Sequence, residues 1–118
     1  PTPLALGDRL VCSTPDTGTL ALQLPAASEQ PALNWWKQDL SSYFSTGTID
    51  QQGRVYIVSN AGMPIPRADI LCVDVATGDL RWRKEGVGYF HCGMIGLADG
   101  KLLLLDDAGN LILGEPGD

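Results

Sequence analysis

The chain has 118 residues, with 14 acidic against 8 basic side chains and a net charge of −6 at pH 7. This length is enough for one domain with a hydrophobic core. The acidic balance excludes nucleic acid as the expected partner and disfavours anionic membrane, because both attract basic surfaces. No apolar run approaches the length of a membrane-spanning segment.

Fourteen glycines and eight prolines punctuate the chain and favour short strands joined by tight turns. No stretch keeps apolar residues at helical spacing for three turns, so no helix is predicted. In chain order, the sequence predicts strands at 2–6, 9–13, 19–24, 33–37, within 41–51, at 55–59, 69–75, 80–84, within 86–98, at 101–105 and at 111–114. Residues 60–67 are predicted to form an inserted loop that two prolines keep from pairing.

Parts of this strand pattern recur along the chain. Arg9-Leu10-Val11 returns as Arg54-Val55-Tyr56 after 45 residues and as Lys101-Leu102-Leu103 after a further 47, and Trp36 is followed by Trp82 46 residues later. A strand-filled period of this size is typical of the blades of a β-propeller.

The repeat predicts an all-β fold of about two and a half to three four-stranded antiparallel blades. Blade one covers about residues 1–40, blade two about 41–85, and an incomplete blade three about 86–118. A closed propeller needs about 4–8 blades, so we expect the chain to be a fragment of a larger propeller. The alternative is an open unit that closes by associating with other copies.

Strand composition predicts which faces are buried. Val55–Val58 and Leu102–Leu105 do not alternate apolar with polar residues, which favours burial on both faces between stacked blades. The strand around Trp82 does alternate, so Trp82 is expected to pack while its neighbouring arginines face water. Cys12 and Cys72 lie in apolar strands and are expected to act as small hydrophobic residues.

One segment carries a family resemblance. The run Cys72-x-Asp74-x-x-Thr77-Gly78-x-x-x-Trp82 resembles the tryptophan-docking motif of pyrroloquinoline-quinone-type (PQQ-like, quinoprotein dehydrogenase-like) propeller repeats, Ala-x-Asp-x-x-Thr-Gly-x-x-x-Trp. Gly78 is suited to the positive-φ turn position, Asp74 and Thr77 to bonding local backbone, and Trp82 to wedging between neighbouring blades.

The other two repeats depart from the motif. In the first, Ala21-Leu22-Gln23 imitates the start, but a loop without Thr-Gly precedes Trp35 and Trp36; the third stops before the motif would be complete.

The resemblance implies several functions and does not choose between them. Some family members are enzymes that use PQQ and a calcium ion to oxidise alcohols or sugars, and others are non-catalytic, such as the lipoprotein scaffold of outer-membrane protein assembly. We expect a non-catalytic binding or scaffolding domain in the periplasm or elsewhere outside the cytoplasm. The alternative is part of a quinoprotein oxidoreductase. Expected partners are other blades of a parent propeller, further copies of the chain, or a protein or small-molecule ligand.

A candidate ligand site lies at the predicted inner rim. His91, the only histidine, begins the innermost strand of the third blade, and the pair Tyr43-Phe44 aligns with Tyr89-Phe90 46 residues later. Tyr43, Tyr89 and His91 are therefore the ligand-binding candidates. Two alternatives stay open: the aromatic pairs serve repeat packing, and His91 is a structural residue.

No catalytic residue or metal ligand is predicted. The adjacent carboxylates of Asp106 and Asp107 are too few for a calcium site, which needs several converging oxygens, and are expected to form a solvated turn. Cys92 and His91 are sequence neighbours on a strand and point to opposite faces, so they do not form a nucleophile–base pair.

Overall fold

A computed structural model describes residues 2–26, 29–42, 45–60, 67–89 and 91–117. Strands make up 53% of it, and the described residues contain no helix, which confirms the all-β prediction. The eleven strands are β1 Leu4–Leu6, β2 Arg9–Thr14, β3 Gly18–Gln23, β4 Ala32–Lys37, β5 Thr48–Ile49, β6 Arg54–Asn60, β7 Ala68–Asp74, β8 Leu80–Lys84, β9 Cys92–Gly96, β10 Leu102–Asp106 and β11 Leu111–Gly114.

The strands form three antiparallel sheets in which neighbours in sequence are neighbours in space. The first sheet has the order β1-β2-β3-β4, the second β5-β6-β7-β8, and the third β9-β10-β11. Turn glycines make these hairpins possible: Gly18 and Gly109, in the corresponding turns of the first and third sheets, have φ angles of 89° and 88°. Only glycine adopts such angles without steric cost. The predicted loop at 60–67 falls largely outside the described residues.

The second sheet lies between the other two and is covered on both faces. Its strand β6 holds Val55, Tyr56, Ile57 and Val58, each no more than 3% exposed, as the unbroken apolar run predicts. Val55 and Ile57 belong to the core shared with the first sheet, and Tyr56 and Val58 to the core shared with the third. Alternation along one strand thus divides its side chains between two interfaces.

The corresponding prediction for β10 is wrong. Leu102 and Leu104 are buried against the second sheet, but Leu105 is 52% exposed and Leu103 is only partly buried. Among the described residues no sheet packs on the outer face of the third sheet, so half of the apolar run faces outward.

A tryptophan from each four-stranded sheet reaches the next sheet. The Trp35 indole Nε1 donates a hydrogen bond of 2.8 Å to the carbonyl oxygen of Val75, and the Trp82 Nε1 donates one of 2.8 Å to that of Gly117. Both acceptors lie just beyond the third strand of the neighbouring sheet. The Trp35 ring also lies over Gly78, where a Cβ would be 2.6 Å from a ring carbon. Gly78 therefore serves two needs, its φ of +79° and close approach by Trp35.

The alignment of Trp36 with Trp82 is corrected by strand register. Trp35 stands opposite Ala21 and Trp82 opposite Cys72, and each of those partners is followed by a register shift at the same place in its sheet. Trp35 is therefore the counterpart of Trp82. Trp36 is 52% exposed and donates its indole N–H within its own sheet, to the carbonyl oxygen of Thr17.

The turn of the resembling motif forms as its residues predict. The Asp74 Oδ1 accepts hydrogen bonds from the backbone N–H groups of Ala76 and Thr77, and the Thr77 hydroxyl accepts one from Asp79. Such local bonds close a turn without help from distant residues.

Two smaller findings concern the cysteines and the membrane. Cys72 and Cys92 are buried and Cys12 is partly buried, and all three are free thiols. In the part of the chain that the structure describes, no helix is long and apolar enough to cross a membrane.

Candidate functional site

The predicted rim is only partly described. Tyr43 and its neighbour Phe44, like Phe90, lie outside the described residues. Tyr89 is 61% exposed, and His91 is exposed immediately before β9, the innermost strand of the third sheet.

Asp107 brings Tyr89 and His91 together through their backbones. Its carboxylate accepts a hydrogen bond of 2.9 Å from the N–H of Tyr89 and one of 3.4 Å from that of His91. A Cβ on Gly88 would lie 2.9 Å from an Asp107 carboxylate oxygen, so glycine allows this approach. Asp107 thus anchors the entry to β9. The phenol and imidazole line none of the three clefts described below, so what they share is an anchored backbone.

Asp106 closes its own turn. Its carboxylate accepts hydrogen bonds from the N–H groups of Ala108 and Asn110 and from the Asn110 side-chain amide, at 2.8–3.0 Å. These bonds, led by that of the Asn110 side chain, hold the pKa of Asp106 below its ordinary value. The predicted solvated turn is therefore an Asx-type turn. Among the described residues no three His, Cys, Asp or Glu side chains gather in a way that could hold a metal ion.

A cluster not anticipated from the sequence joins Asp50, Arg54 and Tyr56 between the second and third sheets. The Asp50 Oδ2 accepts a hydrogen bond of 2.7 Å from the Arg54 Nε and one of 3.0 Å from the Tyr56 hydroxyl. Burial opposes ionisation of Asp50, but the hydrogen bonds from Arg54 and Tyr56 prevail and lower its pKa. Burial, followed by the bond to Asp50, raises the pKa of Tyr56 above its ordinary value.

This cluster borders a cleft of about 440 Å³, whose other wall is the turn between β9 and β10 at residues 96–102. Arg54 and Tyr56 both donate to Asp50, so the arrangement holds the start of the second sheet. The only sequence signal was the Asp-to-Arg spacing of four residues. Another cleft, between the first two sheets, has a volume of about 20 Å³ and is too small for a ligand.

A second unanticipated group surrounds the fully buried side chain of Asp69 in β7. Its carboxylate accepts hydrogen bonds from Arg67 Nε at 3.0 Å, Arg83 Nη1 at 3.1 Å and the Gly86 N–H at 3.0 Å. The Arg83 side chain, predicted to face water, is 31% exposed and turns its guanidinium to this buried carboxylate. Burial opposes ionisation, but the bonds from Arg67, Gly86 and Arg83 prevail and lower the pKa of Asp69.

Two apolar sheet faces are open at opposite ends of the stack. On the third sheet the open face joins side chains that stand opposite one another in register: Ile95, Leu103, Leu105, Leu111 and Leu113. Ile95, Leu105, Leu111 and Leu113 are 52–69% exposed. On the first sheet the outer face holds Leu10, Cys12, Leu20, Leu22 and Trp36. Contiguous apolar patches of this kind mark interaction surfaces.

A wider cleft, of about 580 Å³, opens beside β11 between the second and third sheets. Its floor continues the core between these sheets through Ile70, Leu102 and Leu104, and Ile112 and Trp82 form its sides. The cleft lies along the edge of β11 that no described strand covers. Of the features described, the two faces are apolar, and the cleft is both concave and largely apolar, as binding surfaces are.

No protein-family model matches the chain, and no curated protein sequence matches it either.

Proposed function

We propose that the chain is a non-catalytic binding or scaffolding module built from PQQ-like β-propeller repeats and located outside the cytoplasm. The observation that carries the proposal is the tryptophan docked from one sheet onto the next. It occurs at both sheet interfaces, with Trp35 and Trp82 in equivalent registers. At the first interface the tryptophan meets Gly78, the glycine of the resembling motif.

The open face of the third sheet is equivalent to the faces by which the first sheet packs on the second and the second on the third. Val11 in β2 packs toward the second sheet, and Tyr56, its equivalent in β6, packs toward the third. The next equivalent, Leu103 in β10, lies on the open face opposite Ile95 and Leu113. The third sheet therefore presents the kind of face that the first two sheets bury.

The outer face of the first sheet is the complementary kind. Val55 in β6 packs against the first sheet, and Leu102 in β10 packs against the second. Their equivalent, Leu10 in β2, lies on the outer face of the first sheet. The open face of the third sheet and the outer face of the first sheet are therefore complementary, and they could pair head to tail. This supports further sheets of the same kind, from another copy or a parent propeller, as partners.

The test is the mass of the protein by light scattering across a range of concentrations. We expect reversible association, weakened by Leu105→Lys because a charge on the open face of the third sheet has no partner after docking. Leu80→Lys is the matched control, since Leu80 is 43% exposed in β8 and lies on neither open face. A monomer at all concentrations, or equal effects of both substitutions, would contradict another copy of the chain as the partner.

A second experiment tests whether the protein binds the cofactor PQQ. Titration with PQQ in the presence of calcium, followed by calorimetry, is expected to give no saturable heat from a scaffold. Saturable binding would contradict the non-catalytic proposal and favour part of a quinoprotein oxidoreductase.

A further inference from the structure

Asp50 occupies a position that the other two sheets give to leucine. In the turn after β5, the Asp50 N–H donates to the Arg54 carbonyl oxygen at 3.0 Å. In the turn after β9, the Leu97 N–H donates to the carbonyl oxygen of Lys101 at 2.8 Å, so Leu97 is the counterpart of Asp50. In the first sheet the counterpart is Leu6, which stands opposite the first residue of β2.

The leucine and the carboxylate at this position pack differently. Leu6 packs against the core between the first two sheets. The Asp50 Oδ1 accepts hydrogen bonds from the N–H groups of Gln52 and Arg54, and its Oδ2 accepts them from the Arg54 Nε and the Tyr56 hydroxyl. These four bonds use the acceptor positions of the carboxylate, so Asp50 fixes one wall of the cleft of about 440 Å³. A polar group where the repeat has leucine is the kind of local exception that occurs at functional sites.

The opposite wall of this cleft carries an exposed ion pair. The Asp99 Oδ2 lies 3.2 Å from the Lys101 Nζ, and the two side chains are 55% and 36% exposed. Glu115 lies 3.9 Å from the same Nζ, is more exposed than either, and does not line the cleft. Exposed ion pairs contribute little to stability. A ligand can therefore separate Asp99 from Lys101 at little cost.

The charges that line the cleft sum to zero. The charged lining residues are two acids and two bases: Asp50, Asp99, Arg54 and Lys101. A ligand with a net charge would add a charge without a partner, which disfavours it. A zwitterion adds none, because its ammonium group can pair with Asp99 while its carboxylate pairs with Lys101. Such charge-assisted hydrogen bonds are stronger than neutral ones, which favours a zwitterion over an uncharged polyol.

We propose that the cleft between the second and third sheets binds a free α-amino acid with an apolar side chain. Its ammonium group binds the Asp99 carboxylate, its carboxylate binds the Lys101 ammonium group, and its side chain contacts the apolar part of the lining, which includes Ala98 and Leu102. The volume of about 440 Å³ lies in the range of small-molecule sites. This inference goes beyond the proposed function, because it requires neither association of copies nor a cofactor.

The probes are L-leucine and L-phenylalanine, titrated into the protein at pH 7 and followed by calorimetry. We expect saturable binding. The N-acetyl derivative of the better ligand keeps only the carboxylate, and its amide keeps only the ammonium group, so each should bind about tenfold or more weakly. No saturable binding of either amino acid, equal binding of the three related compounds, or tighter binding of the polyol sorbitol would overturn the proposal.

Two substitutions separate the two charges of the ligand. Lys101→Gln should weaken binding of the amino acid about tenfold or more but should not weaken binding of the amide, which has no carboxylate. Asp99→Asn should weaken binding of the amino acid but not of the N-acetyl derivative. Lys84→Gln is the matched control, since Lys84 is exposed and does not line this cleft. The opposite pattern, or an equal effect of Lys84→Gln, would overturn the site.

A third substitution tests the position at which the repeat is broken. In Asp50→Leu the side chain is expected to pack between sheets as Leu6 does, which narrows the cleft and weakens binding about tenfold or more. Circular dichroism checks that this variant folds. If it folds and binds as the parent does, the proposal is overturned.

Hydrogen exchange on the unsubstituted protein locates the ligand without a variant. We expect the bound amino acid to protect amides in the turn between β9 and β10 and in the turn between β5 and β6. Protection elsewhere, or none at saturation, would overturn the proposal. Light scattering of the same samples separates binding of the amino acid from self-association.

Discussion

Trp35 and Trp36 are neighbours in β4, but their environments differ. The Trp35 side chain is 8% exposed, lies over Gly78 and bonds the second sheet, whereas Trp36 is 52% exposed and bonds its own sheet. Strand alternation places them on opposite faces. The docking contact between the first two sheets therefore depends on one indole of the pair.

This difference gives the first prediction. Trp35→Ala should lower the free energy of unfolding by about 3–5 kcal/mol, because it opens a cavity between two sheets and leaves the Val75 carbonyl oxygen without its donor. Trp36→Ala should cost about 1 kcal/mol or less. Urea unfolding followed by circular dichroism measures both. Similar losses would contradict the assignment of Trp35 as the docking residue.

Asp69 gives a prediction about pH. Its folded pKa is lowered, so its carboxylate adds stability that is present above its unfolded pKa of about 3.9 and is lost as pH falls through the folded value. Stability should therefore decline below about pH 4.

Asp69→Asn should lower stability at pH 7 by about 1–3 kcal/mol, because Arg83 and Arg67 lose a charged acceptor, and should reduce the decline in acid. Part of the decline would remain, because the pKa values of Asp50 and Asp74 are also lowered. Urea unfolding at several pH values measures the slope. Asp16→Asn, in an exposed turn, is the control. An Asp69→Asn slope equal to that of the parent would refute the role of Asp69.

At the scale of the element, β6 and β10 show how far a strand pattern predicts burial. Both contain four consecutive apolar residues, and both were predicted to be covered on two faces. β6 is, because the first and third sheets lie on either side of it, whereas β10 is covered on one face. Strand composition indicates that a face is suited to burial. Whether that face is buried depends on whether another sheet packs against it.

The two faces of β10 can be compared directly. Leu104→Ala, at a 6% exposed position, should cost about 2–5 kcal/mol. Leu105→Ala, at a 52% exposed position, should fall within about 0.5 kcal/mol of the parent. Thermal and urea unfolding of the two variants provide the measurement. A large loss from Leu105→Ala would mean that the open face is already covered in solution.

For the whole molecule, the free thiols report whether three sheets unfold together. Cys72 and Cys92 lie in the core between the second and third sheets, and burial raises the pKa of Cys72 to about 11. Cys12 lies on the outer face of the first sheet and is only partly buried; burial raises its pKa as well. A thiol reacts as its thiolate. Cys72 and Cys92 are therefore protected both because reagents cannot reach them and because their raised pKa values keep them protonated.

We expect Cys12 to be modified first by a thiol reagent at pH 8, and Cys72 and Cys92 only as the protein unfolds. Mass spectrometry of the labelled peptides identifies the sites across a urea series. If the labelling of Cys92 and the loss of circular dichroism share one midpoint, the sheets form one cooperative unit. Labelling of Cys92 at lower urea would show that the third sheet separates first.

The sequence by itself determined the all-β class, the positions of most strands, and the turn chemistry of Asp74, Thr77 and Gly78, because turns and strand patterns depend on residues close in the chain. Sequence periodicity did not distinguish Trp35 from Trp36, since a one-residue difference in register is invisible without strand pairing. The clusters around Asp50 and Asp69 and the exposure of β10 also emerged only in the tertiary structure. Burial and ion pairing depend on which sheets meet, and that is decided by contacts between residues far apart in sequence.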